Sequence, residues 1–321
     1  MVKSVLLIGL GNVAVGYDAY DTTSTKVLTH ARAFFQHPFF CLVGGVDIDA
    51  QRRSRFEANY NVITYSKTED AMRDLSPDIV VIATPSAMHL QTVIEVFEAG
   101  RPSAILCEKP LAYNLVEAQK IVDICATFSC ALFVNFFRQA GPGMADIRAR
   151  LADKRIGYPL NGVVWYSKGL FNSGAHLISL LQNLLGDVSD IKLIRAGRLW
   201  HDIDPEPDVD ITFANGRVVF LAAREEDFFH NTIELIAPNG RLRFELGGAK
   251  IVWQSIEKDL RFKDYIRLSE VCESIFVDFD RIQWYVAEQL AMALQGQIAH
   301  LCNGEDALRV QEVLDIIKDK I

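Results

Sequence analysis

Two closely spaced glycines and a distant aspartate carry the first chemical signal in the chain. Ile8-Gly9-Leu10-Gly11-Asn12-Val13-Ala14 directly follows an apolar run and fits the pattern G-x-G-x-x-G/A. Glycine there permits a tight turn and lets the backbone approach a pyrophosphate at a helix N-terminus. Gly9, Gly11, Asn12 and Val13 are therefore candidate cofactor contacts, with an ordinary βα turn as the plain alternative. Asp47 ends the apolar run Leu42–Val46. An acid at that place accepts hydrogen bonds from ribose hydroxyls and repels a 2′-phosphate, which favours NAD over NADP. Arg52 and Arg53 nevertheless leave room for NADP, and an aspartate that merely ends a strand is the competing explanation. Asp47 stands 38 positions after Gly9, more than the pattern expects, and the excess falls in the polar stretch Tyr17–Leu28. That stretch reads as an insertion between the glycine turn and the first crossover helix.

Other polar residues are placed where chemistry is conceivable. Glu108-Lys109-Pro110 closes the buried run Ile105-Leu106-Cys107. Asn172-Ser173-Gly174-Ala175-His176-Leu177-Ile178-Ser179 precedes the apolar run Leu180–Leu185. On a helix, positions 172, 176 and 179 share a face. Asn135 and Arg138 follow a strand-like run, and Lys168 stands four residues before Asn172; each divides evenly between substrate contact and structural use. Trp165 and Tyr166 read as sheet packing. The acidic cluster His201–Asp208 contains Pro205 and Pro207, which point to a solvated loop rather than a metal site.

These residues need a scaffold, and composition bounds it. The 321 residues carry 33 Lys+Arg and 41 Asp+Glu, a net charge of −8; 50% are hydrophobic and 23% charged. That excludes a disordered or collagen-like chain, suits about two domains, and argues against nucleic acid or an anionic membrane as partner. The 6 cysteines form no CxxC pair, and no apolar run nears the ~18–20 residues of a membrane span, so the expected location is cytoplasmic. Val2–Ile8, Cys41–Val46, Ile79–Ala83 and Ala104–Cys107 are short Val/Ile-rich runs suited to a parallel sheet buried on both faces. Helical patterns separate them, such as His89–Ala99, and Ser66–Glu69 and Asn114–Glu117 both resemble capping boxes. From about Leu160 the grammar changes. Asn215-Gly216 and Asn239-Gly240 each stand between strand-like runs, the strongest short hairpin signal. Helical stripes over Ile282–Leu294 and Ala307–Ile321 close the chain, and Gly141-Pro142-Gly143 suits a passage between domains.

Taken with the glycine turn, Glu108-Lys109-Pro110 resembles the glucose–fructose oxidoreductase/inositol dehydrogenase (Gfo/Idh/MocA) family. Ile82-Ala83-Thr84-Pro85-Ser86, with His89 beyond it, resembles the family's fourth strand end, which passes the nicotinamide; Gly304–Val310 resembles its final helix. The resemblance implies an N-terminal Rossmann doubly wound parallel sheet and a C-terminal open, mainly antiparallel sheet with helices on one face. It implies an NAD-binding domain over 1–125, a substrate-binding and oligomerisation domain over 126–302, and a final helix 303–321 packing back on the first. Thr84, Pro85, His89, Glu108 and Lys109 join the cofactor contacts. Asn135, Arg138 and Lys168 become substrate contacts, and no metal is required.

By the same resemblance Lys109, His176 and Asn172 are the catalytic set. His176 matches the family's histidine, while Asn172 and Ser179 stand where the family has aspartates. The implied chemistry is NAD-dependent hydride transfer at a secondary hydroxyl of a sugar, sugar derivative or nucleotide sugar, in a homodimer or homotetramer built through the second sheet. A cofactor-binding regulator and a redox-assisted glycosidase are the alternatives on the same fold. Tyr17–Leu28 and Lys168–Asn172 resemble members associated with bacterial surface-glycan loci, which puts nucleotide sugars first among the substrates.

Overall fold

A computed structural model describes residues 2–18, 25–223 and 227–321. The chain divides into two compact units, Met1–Ala140 with Asp280–Gln311, and Gly141–Phe279 with Glu312–Ile321.

The first unit opens as alternating strands and helices: β1 (Lys3–Ile8), α1 (His30–Gln36), β2 (Phe40–Val46), α2 (Ala50–Tyr60), β3 (Ile63–Tyr65), α3 (Thr68–Leu75), β4 (Ile79–Ile82), α4 (His89–Ala99), β5 (Ala104–Cys107), α5 (Leu115–Thr127) and β6 (Ala131–Val134). β3, β2, β1, β4, β5 and β6 lie side by side in that order, all parallel. The order reverses at β1, which leaves β1 and β4 as neighbours diverging to opposite edges, the switch point where ligands bind in such sheets. Val80, Val81, Ile82, Ile105 and Leu106 are fully buried, as runs apolar on both faces require. Asn114 caps α5 by accepting the Glu117 amide at 2.9 Å. The other expected capping box fails, because α3 begins after Lys67 with no side-chain cap bond.

The second unit holds α6 (Pro142–Ala152), β7 (Leu160–Tyr166), α7 (Ala175–Leu185), β8 (Val188–Trp200), β9 (Asp204–Phe213), β10 (Gly216–Ala222), β11 (Thr232–Ala237), β12 (Gly240–Glu245), β13 (Lys250–Lys258), β14 (Ile266–Leu268) and β15 (Glu273–Ile275). Its sheet runs β14-β13-β12-β11-β7-β10-β9-β8, antiparallel except for β7 with β10. Both Asn-Gly hairpins form: Phe213 pairs with Gly216, and Ala237 with Gly240. The chain then returns to the first unit with α8 (Ile282–Leu294) and β16 (Cys302–Asn303), and ends in α9 (Gly304–Asp319).

Two expectations are corrected here. A boundary at 125/126 would cut β6 from β5, yet the two are hydrogen-bonded in register, so the first unit runs on to Ala140. That unit also takes back 280–311 rather than a terminal helix alone, since β16 pairs with β6. The acidic cluster is no solvated loop: from Asp204 onward it is strand β9, with Asp204, Glu206, Asp208 and Asp210 all buried. Prolines at 205 and 207 are tolerated because β10 pairs with β9 only from Val209 onward, which leaves that stretch with β8 as a ladder partner on one side. Among the described residues, no helix is long and apolar enough to cross a membrane.

Candidate functional site

At the switch point the glycine turn is held by close backbone approach. Gly9 has φ +89°, and a Cβ there would lie 2.7 Å from the Ala83 carbonyl carbon. Glycine is thus required both for the conformation and for the space. The Gly9 amide donates to Val46 O at 2.8 Å and the Ala83 amide to Ile8 O at 2.8 Å, so the ends of β1, β2 and β4 are tied together. The residues after Gly11 make one helical turn, Val15 N–H to Gly11 O at 2.9 Å. Beyond the insertion the helix resumes against that turn, with His30 N–H on Val13 O (3.3 Å) and Ala31 N–H on Ala14 O (2.9 Å). The insertion therefore interrupts the crossover helix instead of displacing it. Buried Asp18 closes its base by accepting the Leu28 amide (2.8 Å) and the Thr29 hydroxyl (2.6 Å). Residues 19–24 of the insertion lie outside the described residues.

Asp47 is 7% exposed and faces the glycine turn. Its Oδ2 accepts the Leu10 amide at 2.9 Å and its Oδ1 the Asp49 amide at 2.8 Å, while Arg52 Nη1 stands 3.5 Å from Oδ2. A cavity of about 370 Å³ opens beside it, lined by Gly11, Asn12, Gly16, Arg52 and Arg55 among others. On the other side of β1, Thr84 Oγ1 is buried with no hydrogen-bond partner among the described residues. A backbone cradle without room for Cβ, an acid at the end of β2 and an orphaned hydroxyl after β4 fit a dinucleotide laid across the switch point. His89 is fully buried: its ring lies between Leu111 O (3.1 Å) and Thr84 O (3.0 Å), strapping the Thr84-Pro85 segment to the Glu108-Lys109-Pro110 segment. Burial holds its pKa below the usual histidine range, partly offset by those carbonyls. His89 thus acts on the cofactor segments through their backbones.

Beneath Lys109, Glu108 anchors a buried polar cluster. Its Oε1 accepts from His30 Nε2 (2.8 Å) and Asn135 Nδ2 (2.7 Å), and Oε2 lies 3.3 Å from the Lys109 amide. The second Asn135 N–H reaches Gln283 Oε1 at 3.4 Å on α8. Asn135, expected at substrate, is 1% exposed and committed to Glu108. Burial pushes the Glu108 carboxyl up, but the bonds from His30 and Asn135 and the charge of Lys109 outweigh it and hold it below the usual range. Arg138 lies with its guanidinium 4.7 Å from the Phe137 ring centre, and burial pulls its pKa down to about 10.

In the second unit, His176 is the second residue of α7 and 6% exposed; Ser179 is 2% exposed. Asn172, expected on the same helical face, is exposed and lies one turn earlier in a wider π-helical turn, Leu170–Gly174. Its Nδ2 donates to Lys168 O at 3.0 Å. The turn widens because the Phe171 and Asn172 amides are drawn to Asp204, at 3.0 and 2.9 Å. Lys168 is half-buried with φ +64°, its amide 2.8 Å from Glu206 Oε1. Asp204, Glu206 and His30 were not anticipated. For the acids a signal existed: Asp204, Glu206, Asp208 and Asp210 alternate with period two, as one face of a strand does.

Residues 4–136 match the oxidoreductase family described as GFO_IDH_MocA, NAD-binding Rossmann fold. Inositol 2-dehydrogenase 2 of Paenarthrobacter aurescens is 34% identical over 119 residues, 36% of this chain and 35% of that protein. A levoglucosan dehydrogenase solved with NADH superimposes with a TM-score of 0.79 at 17% identity, covering 99% of this chain and 96% of the other. The WlbA dehydrogenase of Bordetella pertussis, solved with NADH and UDP-GlcNAcA, gives 0.75 at 18% identity, covering 100% and 96%. Likeness at such identities shows the fold, a Rossmann-type parallel sheet followed by a mainly antiparallel one. In sequence the chain spans about a quarter to a half of the length of the curated relatives it matches.

Two outcomes follow from this geometry. NAD binds more tightly than NADP in calorimetry, and Asp47→Ala narrows the preference while weakening both, because the same carboxylate holds the Leu10 amide. Glu108→Gln loses about 1–3 kcal/mol of unfolding free energy in urea at neutral pH, as one acceptor becomes a donor inside the cluster. A carboxylate held below its unfolded pKa contributes stability above that unfolded value and loses it as pH falls through the folded one. The wild-type excess over Glu108→Gln therefore shrinks on acidification below the ordinary glutamate range.

Proposed function

We propose, from the match of residues 4–136 to the Gfo/Idh/MocA oxidoreductase family, NAD-binding Rossmann fold, that the chain transfers a hydride between a secondary hydroxyl of a sugar-like substrate and nicotinamide. The observation that carries this reading is Lys109 at the end of β5, braced from below by the Glu108 cluster and strapped through His89 to the Thr84 segment. Gly9, Gly11, Asn12, Val13 and Asp47 hold the adenosine half of the cofactor, and Thr84, Pro85, Glu108 and Lys109 border its nicotinamide half. Bound NAD supplies the two-electron acceptor.

Oxidation of a secondary alcohol releases a hydride from carbon and a proton from oxygen as the C=O bond forms. His176 takes that proton, imidazole being the side chain suited to proton transfer around neutral pH. The Lys109 ammonium orients the hydroxyl and stabilises the developing alkoxide. Asn172 hydrogen-bonds but supplies no negative charge, so the imidazolium is stabilised less than beside an aspartate. Lys168 and Arg138, the residues expected at substrate, are both cationic, which suits a nucleotide sugar or a uronate. Of two fold neighbours with 18% and 14% identity, WlbA was solved with UDP-GlcNAcA and the other, from Acidithiobacillus ferrooxidans, is named UDP-N-acetylglucosamine 3-dehydrogenase. The second sheet also serves as a homo-oligomer interface: Trp165 and Ile236 are 41% and 47% exposed on the same face of adjacent strands.

A panel of UDP-N-acetylglucosamine, its uronate, myo-inositol and levoglucosan, followed by NADH absorbance, tests the reading. Steady NADH formation marks a dehydrogenase. Tight NAD binding without turnover marks a regulator, and glycoside cleavage without net NADH a redox-assisted glycosidase. His176→Ala lowers kcat by roughly 10²–10⁴-fold with little change in NAD affinity, and Lys109→Ala is at least as damaging. A His176→Ala enzyme with unchanged turnover would show that another group takes the proton. Light scattering at micromolar concentration gives a dimer or tetramer; a monomer rules out the sheet interface.

A further inference from the structure

Between β7 and α7 the chain turns sharply through two left-handed residues, Lys168 at φ +64° and Gly169 at φ +86°. Four N–H groups around this turn are taken by two carboxylates of β9. Lys168 and Gly169 donate to Glu206 Oε1 at 2.8 and 3.2 Å. Phe171 donates to Asp204 Oδ1 at 3.0 Å and Asn172 to Asp204 Oδ2 at 2.9 Å. A Cβ at Gly169 would lie 2.1 Å from Asp204 Oδ2, so the glycine is what admits the carboxylate. The next two amides, Ser173 and Gly174, turn back to Gly169 O at 3.0 and 3.1 Å and begin the wide turn that runs into α7. His176 follows two residues later.

Asp204 and Glu206 are both buried, at 9% and 0% exposure, and a buried carboxylate persists only where donors compensate it. Glu206 has a guanidinium as well, Arg198 Nε at 2.8 Å from Oε2. Both Asp204 oxygens are aimed at backbone amides just ahead of a helix N-terminus, where negative charge is favoured. We propose that Asp204 is a positioning residue for His176: by gripping the Phe171 and Asn172 amides it fixes where α7 starts and how His176 is rotated about its axis, and it orients Asn172 at the same time. Glu206 supports the turn from behind. This rests on His176 being the base. It also gives β9 a part in the chemistry: the carboxylates that Asn172 and Ser179 lack as side chains are absent from the helix, while a carboxylate on a neighbouring strand holds the helix in place.

The chemistry of the two acids makes the proposal testable. Both Asp204 oxygens are in use, so Asp204→Asn must set an NH2 group against one of the two amides and break the grip. Glu206→Gln can keep its oxygen on Lys168 and Gly169 and turn its NH2 toward Arg198, losing the ion pair but sparing the turn. The full-length variants are compared on whichever of UDP-N-acetylglucosamine, myo-inositol or levoglucosan the wild type oxidises. Alongside are measured NAD affinity by calorimetry, thermal unfolding, and hydrogen–deuterium exchange over 168–176. Asp204→Asn lowers kcat by at least ~10-fold, speeds exchange in that segment and leaves NAD affinity within about twofold, while Glu206→Gln stays within about threefold of wild type in kcat. Gly169→Ala, which pushes the Asp204 carboxylate aside without altering its charge, reproduces the Asp204→Asn signature if that variant folds poorly. The proposal is overturned if Asp204→Asn turns over at the wild-type rate, or if Glu206→Gln loses as much as Asp204→Asn, which would make loss of buried charge the cause. His176→Ala run in parallel separates the two readings. Loss there with an unaffected Asp204→Asn sinks the positioning role alone, and no loss there sinks His176 as base.

Discussion

Buried carboxylates accepting backbone N–H groups recur wherever this chain leaves regular structure at a place that matters. Asp47 takes the Leu10 and Asp49 amides at the glycine turn, Asp18 the Leu28 and Thr29 amides at the base of the insertion, and Asp204 and Glu206 four amides ahead of α7. The physical constraint is the same each time. A turn without helix or strand partners strands its N–H groups, and burying them unpaired costs about 1–3 kcal/mol apiece. A carboxylate has lone pairs for two or more such donors and gains from charge-assisted bonds. Irregular backbone can therefore be held in one conformation without a long regular element behind it.

The insertion shows how much this allows. An extra segment in the middle of a crossover helix would ordinarily move everything after it. Here the helix is split, its first turn staying on the glycine side and the remainder returning in register through Val13 O and Ala14 O. Asp18 and Thr29 are bonded to each other on either side of the insertion, which preserves the packing of β1 and α1. Ala31, Ala33 and Phe34 remain in the core of the first unit with Val5 and Leu7.

A second consequence concerns Lys109. A lysine at a strand end has a flexible stem, and its usefulness depends on what fixes the backbone beneath it. Glu108 is held by His30 from α1 and Asn135 from the end of β6, and Asn135 by Gln283 from α8. Three elements far apart in sequence thus converge on the residue just before Lys109. His89 adds the Thr84 carbonyl to the same frame. The network is satisfied on the Glu108 side by two charge-assisted bonds, which is why a largely buried polar cluster is tolerated there.

Much of the architecture was legible in the residues themselves, because it follows from local rules. Short Val/Ile-rich runs apolar at every position suit strands covered on both faces, and Asn-Gly between alternating runs is a strong hairpin signal. Gly9 and Glu108-Lys109-Pro110 were readable for the same reason: their spacing from strand ends is short. Local pattern failed where partners come from afar. Pro205 and Pro207 argued for a loop, yet β8 pairs with that segment and the guanidinium groups of Arg195 and Arg198 cover its acids Asp208 and Glu206, so it is a strand. Asn172 and His176 would share a face on an α-helix; Asp204, 32 residues later, pulls the Asn172 amide and widens the turn. Asn135 divided evenly between substrate contact and structural use, and only the structure shows its amide held by Glu108 and Gln283. Sequence determined the elements, since those depend on neighbours within a turn or two. Tertiary structure alone decided which polar groups are buried together, because a hydrogen bond between residues 30 and 108 or 172 and 204 leaves no periodic trace along the chain.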